Sequence, residues 1–479
     1  MSGYRLTCIG SLVAISSLLW GYTFTVLNVC ILPNAIGSIL NSLRLETEEQ
    51  ERATGLVLVG ALVAAFSTGD LAERISLRRL ILLNNVFFVI GALLCALANS
   101  KMELFSGRLC IGIACGIVTN TVPILLSEIA PICSRGKLTS YHQLCVTIGI
   151  LATSCFGWFF IKHIPDGWRY LNLLIVVPAI IQCSCIRWFP ESPLWLYKHR
   201  GRDAAQLMLK QLRGQEKTDE SIKAELEEMA QQIELQKKQR MASIQDLWMH
   251  LSIILTGSAL ITFQAITGIN TVMLYSAKLF EIAGLADPFM ANVTANLVNV
   301  LATIISLQIV DTYGRRKLLI FGSALMTAAL MCLSGSLLYL DNYTRLQGQI
   351  TVLCVLFFIA GFAVGLGVVV WVYLTDITPV EIRSRAFSIY MGVGYIWNII
   401  VASYTLSAIH FLGTGDNPEK DGLAKLCLVF GGLSLSCVLF VLYCVHDTQK
   451  ADVVAKEAWQ KEEDEVDILL PPSKPMTAL

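Results

Sequence analysis

Long apolar runs alternate with short polar segments along most of this chain. About twelve runs of roughly 20 apolar residues are present, and they begin near residues 6, 54, 80, 107, 138, 170, 251, 287, 317, 349, 385 and 423. A run of this length crosses the hydrocarbon core of a bilayer as an α-helix. The pattern predicts an all-α polytopic membrane protein with about twelve transmembrane helices, numbered spans 1 to 12.

Composition agrees with this class. The chain has 479 residues, of which 55% are hydrophobic and 15% charged, and a soluble protein of this size needs more polar surface. The net charge is zero, so nothing suggests a nucleic-acid partner. Most cysteines lie inside apolar runs, where small buried thiols are expected rather than a disulfide framework. Span 1 is too long for a signal peptide and is expected to be retained.

Basic residues predict the orientation of the spans. They follow spans 2, 4, 8 and 10, at 74–79, 135–137, 315–317 and 383–385, whereas the first loop carries Glu46, Glu48 and Glu49. The positive-inside rule then puts both termini in the cytoplasm, as expected for a multi-pass plasma-membrane protein. Asn342 starts an Asn-Tyr-Thr sequon between spans 9 and 10, so we expect glycosylation there, on the outside.

Polar segments divide the chain into four parts. Residues 190–249 form a long charged insertion, which we expect to be short amphipathic helices under the membrane domain, with a flexible linker as the alternative. It separates a six-span bundle at 1–189 from a second at 250–446. The acidic, Pro-rich tail at 447–479 is expected to be disordered.

The two bundles repeat the same motifs. Glu128-x-x-Pro131-x-x-x-Arg135 after span 4 returns as Asp376-x-x-Pro379-x-x-x-Arg383 after span 10, displaced by 248 residues. A duplicated six-helix unit is the architecture of a carrier in which one bundle rocks against the other around a central site.

Several independent motifs also resemble one family. They are Gly107-Arg108, Arg135-Gly136, Pro190-Glu191-Ser192-Pro193, Gly268-Ile269-Asn270 and Gly314-Arg315-Arg316. With this spacing, residues 1–450 resemble the sugar porter branch of the major facilitator superfamily, which includes animal glucose facilitators and insect trehalose facilitators. The resemblance implies the two-bundle fold, a small sugar as substrate, the lipid bilayer as surroundings and a monomeric functional unit.

Sugar hydroxyls both donate and accept hydrogen bonds, so a sugar site needs neutral amides and aromatic faces. The resemblance implies that the substrate-binding residues are Gln143, Ile150, Gln264, Asn270, Asn299, Phe362, Trp371 and Asn398. Gln143 and Ile150 share one face of a helix. The alternative for any single intramembrane amide is a hydrogen bond that only holds the bundle together, and this structural role is the expectation for Asn28.

Charged residues at the predicted cytoplasmic helix ends have a different role in the family, where they form networks across the bundles that close the inner side. The resemblance implies a gating role for Glu73, Arg74, Glu128, Arg135, Glu191, Tyr275, Arg315, Arg316, Asp376 and Arg383. Topology signalling and contact with lipid headgroups are the alternative for the charges. For Tyr275, which matches a tyrosine gate at the outer mouth, the alternative is an interfacial tyrosine.

This chain departs from the family in several places. Ser76 and Leu77 interrupt the first basic loop motif, Ala265 replaces one of two paired glutamines, and the final P-E-T motif reads His446-Asp447-Thr448. The prolines that normally precede Trp371 are missing. A helix without proline keeps its hydrogen bonds and is less prone to break, with glycines at 365 and 367 as the remaining source of flexibility.

Coupling to protons is decided by intramembrane carboxylates. Proton-coupled sugar porters carry an aspartate after Gly-Tyr in span 1, but here Gly21-Tyr22 precedes Thr23. We find no Asp, Glu or Lys away from a span end, and His142 is the one ionisable group in mid-span. The sequence therefore favours a facilitative uniporter of a hexose or a disaccharide such as trehalose, working by alternating access.

Two alternatives stay open, namely a proton-coupled sugar symporter and a divergent sugar sensor that does not transport. An enzyme is not expected, because the sequence has no nucleophile–base set and no cluster with metal-ligand spacing. No cofactor or metal is expected.

Overall fold

The computed structural model describes residues 2–33, 35–131, 135–213, 219–241, 248–282, 287–339, 344–379, 382–414 and 417–446. Side chains at 2–5, 69, 70, 73, 135–137, 186, 219–221, 232, 235–241, 278, 282, 311, 312, 344, 345, 383 and 384 lie outside this description. The predicted tail at 447–479 lies entirely outside the described residues.

The described chain is built of α-helices, and its first half forms one bundle. The bundle contains α1 Ser2–Cys30, the short α2 Ile39–Leu43, α3 Thr47–Arg74, α4 Leu77–Ala96, α5 Lys101–Ile129, α6 Arg135–His163, α7 Gly167–Leu173 and α8 Val176–Ser184. This N-terminal bundle corresponds to spans 1 to 6.

A second bundle corresponds to spans 7 to 12. It contains α12 Leu251–Ile266, α13 Ile269–Ile282, α14 Pro288–Tyr313, α15 Arg315–Tyr339, α16 Thr344–Phe362, α17 Val369–Ile377, α18 Arg383–Leu412 and α19 Pro418–Cys444. Between the bundles lie α9 Pro193–Arg200, α10 Arg202–Arg213 and α11 Asp219–Met241. The described part of the insertion therefore contains three helices.

Among the described residues, 11 helices are long and apolar enough to cross a membrane. They match the predicted spans with one exception. Span 6 is divided into α7 and α8 by a turn at Leu174 and Ile175. Several helices also begin earlier than the apolar runs do, because polar residues form the first turn. For example, α3 starts at Thr47, with a capping box between Glu46 and Glu49.

Glycines bring neighbouring helices of the N-terminal bundle into close contact. A Cβ atom on Gly112 of α5 would lie 2.3 Å from the Val57 carbonyl oxygen of α3. One on Gly149 of α6 would lie 2.2 Å from the Leu18 carbonyl oxygen of α1. No side chain fits at such distances, so these two contacts require glycine.

The linker helices pack onto the end of α5. Leu196, Ala205, Leu209, Ile222 and Leu226 form a small apolar core between them. The buried Arg213 guanidinium lies 3.0 Å from a Glu225 carboxylate oxygen and donates a 2.7 Å hydrogen bond to the Ile129 carbonyl. This ion pair fastens the linker to the carboxyl end of α5. We call the face that carries α9 to α11 the linker side, and the opposite face the distal side.

The two bundles meet along three helix pairs. Helix α1 packs against α13, α3 against α18, and α6 against α14. The polar groups described next lie along these seams or on the helices that form them.

Candidate functional site

Three predicted substrate amides lie on neighbouring helices of the C-terminal bundle. Asn270 in α13 donates a 2.5 Å hydrogen bond from Nδ2 to Oδ1 of Asn398 in α18. Asn299 in α14 is 6% exposed and its Nδ2 lies 4.0 Å from the sulfur of Met273. The Asn270–Asn398 pair leaves one N–H of Asn270, its carbonyl and the Nδ2 donors of Asn398 for another partner. Such a pair can present both donors and acceptors to a hydroxyl.

Gln264 binds an irregular turn in span 10. Residues Ala363–Gly367 form a π-helical turn between α16 and α17, and Gln264 Nε2 donates a 2.8 Å hydrogen bond to the Leu366 carbonyl. A π-turn shifts the backbone register and is frequent at functional sites. The expectation that span 10 keeps its α-helical bonds without prolines is therefore wrong in part. The irregularity falls on the two glycines that the sequence marks as flexible.

The predicted residues of α6 face the other bundle. Gln143, Ile150 and Ser154 are spaced by seven and four residues and so share one helix face. Ser154 fixes the direction of that face, because its Oγ receives hydrogen bonds from Asn292 and Asn296 of α14. Ile150 and Gln143 lie about 6 Å and 16 Å closer to the linker side than Ser154. Gln143, which is partly exposed, thus lies on the helix face directed at the seam, in the linker-side half of α6.

Five neutral side chains join the bundles on the distal side, and we call them the distal latch. They are Asn28, Ser154, Ser276, Asn292 and Asn296, each no more than 5% exposed. Asn28 Nδ2 donates to Ser276 Oγ at 2.9 Å, which donates to Asn292 Oδ1 at 2.7 Å. The Nδ2 groups of Asn292 and Asn296 reach Ser154 Oγ at 3.2 and 2.7 Å.

The sequence interpretation missed the latch and gave Asn28 only a structural role. A signal was present, because Asn292, Asn296 and Asn299 recur at i, i+4 and i+7 on an apolar helix. An amide stripe of this kind marks a polar face that another helix must satisfy. Asn299 continues the stripe about 4.5 Å towards the linker side of Asn296, which places it at the depth of Ile150.

A carboxylate also lies in the seam on the distal side. Glu51 in α3 is 3% exposed. It accepts hydrogen bonds from the Ser407 backbone N–H at 2.9 Å and from Ser407 Oγ at 2.5 Å. Ser407 belongs to α18 of the opposite bundle, so this contact also crosses the seam. The sequence treats Glu51 as a span-end residue, because the apolar run of span 2 starts only at residue 54.

Arg108 occupies the interior of the N-terminal bundle at 1% exposure. Its Nε donates to the Ala53 carbonyl and its Nη1 to the Thr23 carbonyl, both at 3.1 Å. Its Nη2 is buried and has no hydrogen-bond partner among the described residues. The guanidinium is therefore held next to Thr23.

The described contacts of His142, the mid-span histidine, lie inside its own bundle and not at the seam. His142 Nδ1 lies 2.8 Å from Ser17 Oγ, and its ring stacks on Trp20 with the centroids 6.4 Å apart. Both partners belong to α1 of the same bundle, so these contacts are internal packing.

Three predicted aromatic residues lie beside the amides. Phe362 and Trp371 flank the π-turn and are partly buried against the core. Tyr275 is fully buried in α13, and its hydroxyl donates a 2.7 Å bond to the Ala402 carbonyl of α18. Tyr275 thus ties two helices of one bundle together on the distal side.

On the linker side, three contacts of the predicted gating residues are described, either inside a bundle or with the linker. Arg315 Nε lies 3.2 Å from Asp376 Oδ2, joining α15 to α17. Arg316 Nη2 donates to the Leu442 carbonyl at 2.7 Å, and Ser192 Oγ donates to the Glu128 carboxylate. Glu191 Oε1 is buried with no hydrogen-bond partner in the described part of the chain.

Some predictions fall outside what the structure describes. The side chains of Glu73, Arg135 and Arg383, and the whole of Asn342, are among them. Arg74 is described and exposed. The cross-bundle charge network therefore stays a prediction.

Comparison with known proteins gives a consistent result. Residues 9–455 match the family model described as "Sugar (and other) transporter". The glucose transporter GlcP of Staphylococcus epidermidis is 34% identical, over 91% of this chain and 93% of that protein. The human facilitated glucose transporter member 3 is 29% identical over 82% and 77% of the two chains. The galactose-proton symporter of Escherichia coli is 28% identical over 91% and 90%.

Solved structures agree on the fold. The xylose transporter XylE from E. coli, in a partially occluded inward-open conformation, superposes with a TM-score of 0.76 over 93% of this chain and 99% of that one, at 22% identity. The family model and the match to GlcP establish the family. The chain belongs to the sugar porter family of the major facilitator superfamily.

Proposed function

We propose that this protein is a facilitative uniporter that carries a neutral sugar, a hexose or a disaccharide such as trehalose, across the plasma membrane by alternating access. One observation supports this most directly. The predicted substrate residues that have described partners at mid-depth are amides held by other neutral groups, with the Asn270–Asn398 pair at 2.5 Å as the clearest case. Paired amides suit hydroxyls, since each can donate and accept at once.

The contact between Gln264 and the π-turn suggests how sugar binding changes the position of the helices. Gln264 Nε2 has a second N–H for a sugar hydroxyl, and a sugar that turns the amide towards itself breaks the 2.8 Å bond to the Leu366 carbonyl. Release of that carbonyl would loosen the joint between α16 and α17, because a buried carbonyl without a partner is costly. The substrate would thereby favour movement of span 10 only while it is bound.

The distal latch supports alternating access. Its bonds connect α1 and α6 to α13 and α14, so opening the distal side requires that they break. A net hydrogen bond contributes about 0.5–1.5 kcal/mol. A handful of such bonds can be exchanged for water and sugar contacts in each cycle, which a cross-bundle set of buried ion pairs would resist.

The surroundings of Arg108 support passive transport. Its described partners are backbone carbonyls, and Thr23 next to it has no titratable group. Thr23→Asp would set a carboxylate beside an incompletely bonded guanidinium. We expect wild-type flux to vary little with pH and the variant to acquire a clear pH dependence, because the charge of the new carboxylate changes the local interactions.

Glu51 favours a second candidate function, proton-coupled transport. A carboxylate that is 3% exposed and bonded across the seam would meet water whenever the distal side opens, as a proton carrier must. Under this candidate, a pH gradient drives accumulation by the wild type, and Glu51→Gln only equilibrates. Under uniport, both proteins only equilibrate, and the substitution alters the rate alone.

The decisive experiment is counterflow in proteoliposomes with labelled glucose, fructose and trehalose, with and without a pH gradient and a protonophore. Absence of flux for every sugar would contradict the transporter proposal and favour the non-transporting sensor. Where flux occurs, Gln143→Ala should lower it at least 100-fold, because a site built to bond a hydroxyl loses that contact. Gln211→Ala, on the exposed face of α10, is the matched control and should transport normally.

The remaining expectations belong to the same proposal. Both termini and the linker side face the cytoplasm, Asn342 lies outside, and one chain is the functional unit. The bundles at 1–189 and 250–446 rock against each other, with 190–249 attached to the first. We expect no enzymatic activity.

A further inference from the structure

Span 7 is interrupted at a glycine. Helix α12 ends at Ile266 and α13 begins at Ile269, and Gly268 between them has φ +93°. Glycine adopts this conformation without strain. A Cβ there would also lie 2.6 Å from the Phe430 ring. The joint is therefore a position where α13 can change direction relative to α12.

A cavity lies behind α13, inside the C-terminal bundle. Val272 of α13, Ala329 of α15, Cys354 of α16 and Leu426 of α19 are among the side chains around it. Its volume is about 40 Å³. Since roughly 10–15 Å³ of such space accommodates one water-sized atom, about three heavy atoms fit. None of the predicted sugar-binding residues lines it, so it is separate from the site on the seam.

One polar side chain that lines this cavity lacks a hydrogen-bond partner within the described part of the chain. Thr351 lines it at 3% exposure, and its hydroxyl has no hydrogen-bond partner among the described residues. Other helical threonines here, such as Thr54 and Thr68, donate to the carbonyl four residues earlier. Buried water needs two to four polar partners. A single unsatisfied hydroxyl among apolar walls instead suits a small apolar molecule that carries one acceptor.

The cavity adjoins the distal latch through Ser276. This residue lines the cavity and also accepts the 2.9 Å bond from Asn28. Helix α13 thus lies between the N-terminal bundle and unfilled space. A close-packed protein interior leaves little room for a helix to move. The cavity therefore provides the space into which α13 can move when it separates from Asn28.

We propose that this cavity is a modulatory site. An uncharged apolar molecule of about three heavy atoms with one hydrogen-bond acceptor, such as a small ether, binds beside Thr351. Its presence holds α13 against the distal latch and slows transport. The effect on transport depends on the function proposed above, whereas binding does not.

Filling the cavity by mutation tests the need for space. Ala329→Leu adds three carbon atoms to the cavity wall, and Ala328→Leu adds the same atoms to the exposed face of the same helix. We expect sugar exchange by Ala329→Leu to fall at least ten-fold without a lower melting temperature, and by Ala328→Leu to stay within two-fold. Wild-type exchange by a folded Ala329→Leu protein would overturn the modulatory role.

Binding is tested on purified protein with dimethyl ether and propane, which share a shape but differ in the acceptor. Dimethyl ether should raise the melting temperature of the wild type more than propane does, and neither should shift Ala329→Leu. Thr351→Val should remove the difference between the two probes. Equal shifts in the wild type and Ala329→Leu would overturn the site, even if the wild type carried no sugar.

Discussion

The two ends of the membrane domain are fastened by different chemistry. On the distal side, neutral amides and hydroxyls reach across the seam, from Asn28 and Ser154 in one bundle to Ser276 and Asn292 in the other, and Ser407 donates to the Glu51 carboxylate. On the linker side, Arg315 pairs with Asp376 inside the C-terminal bundle.

This difference distinguishes contacts that must open during transport from contacts that must hold each bundle together. A neutral hydrogen bond contributes about 1 kcal/mol net and is readily replaced by water. Breaking a buried ion pair by losing one partner costs about 3–5 kcal/mol. Neutral bonds therefore suit a contact that is made and broken in every cycle, and ion pairs suit contacts that keep a bundle intact.

The largest effect is expected from Ser154→Val in the latch. The hydroxyl accepts from two buried amides, at 3.2 and 2.7 Å. Valine would leave the Asn292 donor without this acceptor, whereas Asn296 Nδ2 keeps a 3.1 Å bond to Asn292 Oδ1. At about 1–3 kcal/mol for one orphaned donor, this shifts the balance roughly 10-fold or more towards an open distal side. Distances between spin labels at the exposed residues Ile36 and Phe411, one on each bundle, would report the opening.

The control for this experiment is Ser106→Val, on the exposed surface of α5. Its hydroxyl bonds only its own helix, at the Met102 carbonyl, so the label distances should not change. Unchanged distances in Ser154→Val as well would show that the latch does not hold the distal side closed.

Much of the fold could be predicted from the sequence, because apolar runs of fixed length are a strong signal. The interruptions were harder. Span 6 breaks at Leu174-Ile175, where hydropathy does not change. The signal is Pro178, which cannot donate a hydrogen bond to the carbonyl of Leu174 four residues earlier. The π-turn of span 10 was visible only as two glycines, which also occur in regular helices.

The candidate site was predictable where a polar side chain stands alone in an apolar run, as Gln264 does. Its partner was not predictable, because Leu366 lies 102 residues away and contributes a backbone atom. Glu51 was missed for another reason. The polar first turns of α3 continue into the packed seam, so the end of the apolar run is not the end of the buried surface.

A smaller effect of a different kind is expected on the linker side. Arg315→Gln leaves Asp376 without the cation 3.2 Å away and should destabilise the C-terminal bundle by about 2 kcal/mol, less than a fully buried pair would lose. The melting temperature should fall, while the Ile36–Phe411 distances stay as in the wild type. The control is Lys317→Gln at an exposed neighbouring position, which should change neither the melting temperature nor the label distances. If the distal side opened in Arg315→Gln, the proposed difference in role between the distal and linker sides would be wrong.

The smallest effect is expected from the one described ion pair that crosses the seam at the distal surface. Lys162 Nζ lies 2.7 Å from Asp287 Oδ2, and the two side chains are 41% and 36% exposed. Burial raises the pKa of Asp287, but hydrogen bonds from Lys162 and the Met290 amide outweigh this and lower it below 3.8. The pair therefore stabilises the closed state above that pH, and its contribution is lost as distal pH falls through the lowered pKa.

Since exposed pairs contribute about 0.2–1 kcal/mol, Asp287→Asn should raise the open fraction only about two-fold at neutral pH. Its open fraction should also lack the acid-induced increase that we expect of the wild type below the lowered pKa of Asp287. Glu48→Gln removes the same charge from the same surface, but Glu48 pairs with Arg52 inside α3, so that variant should keep the wild-type pH response. A shift as large as that of Ser154→Val would mean that charge, rather than the neutral latch, holds the distal side closed.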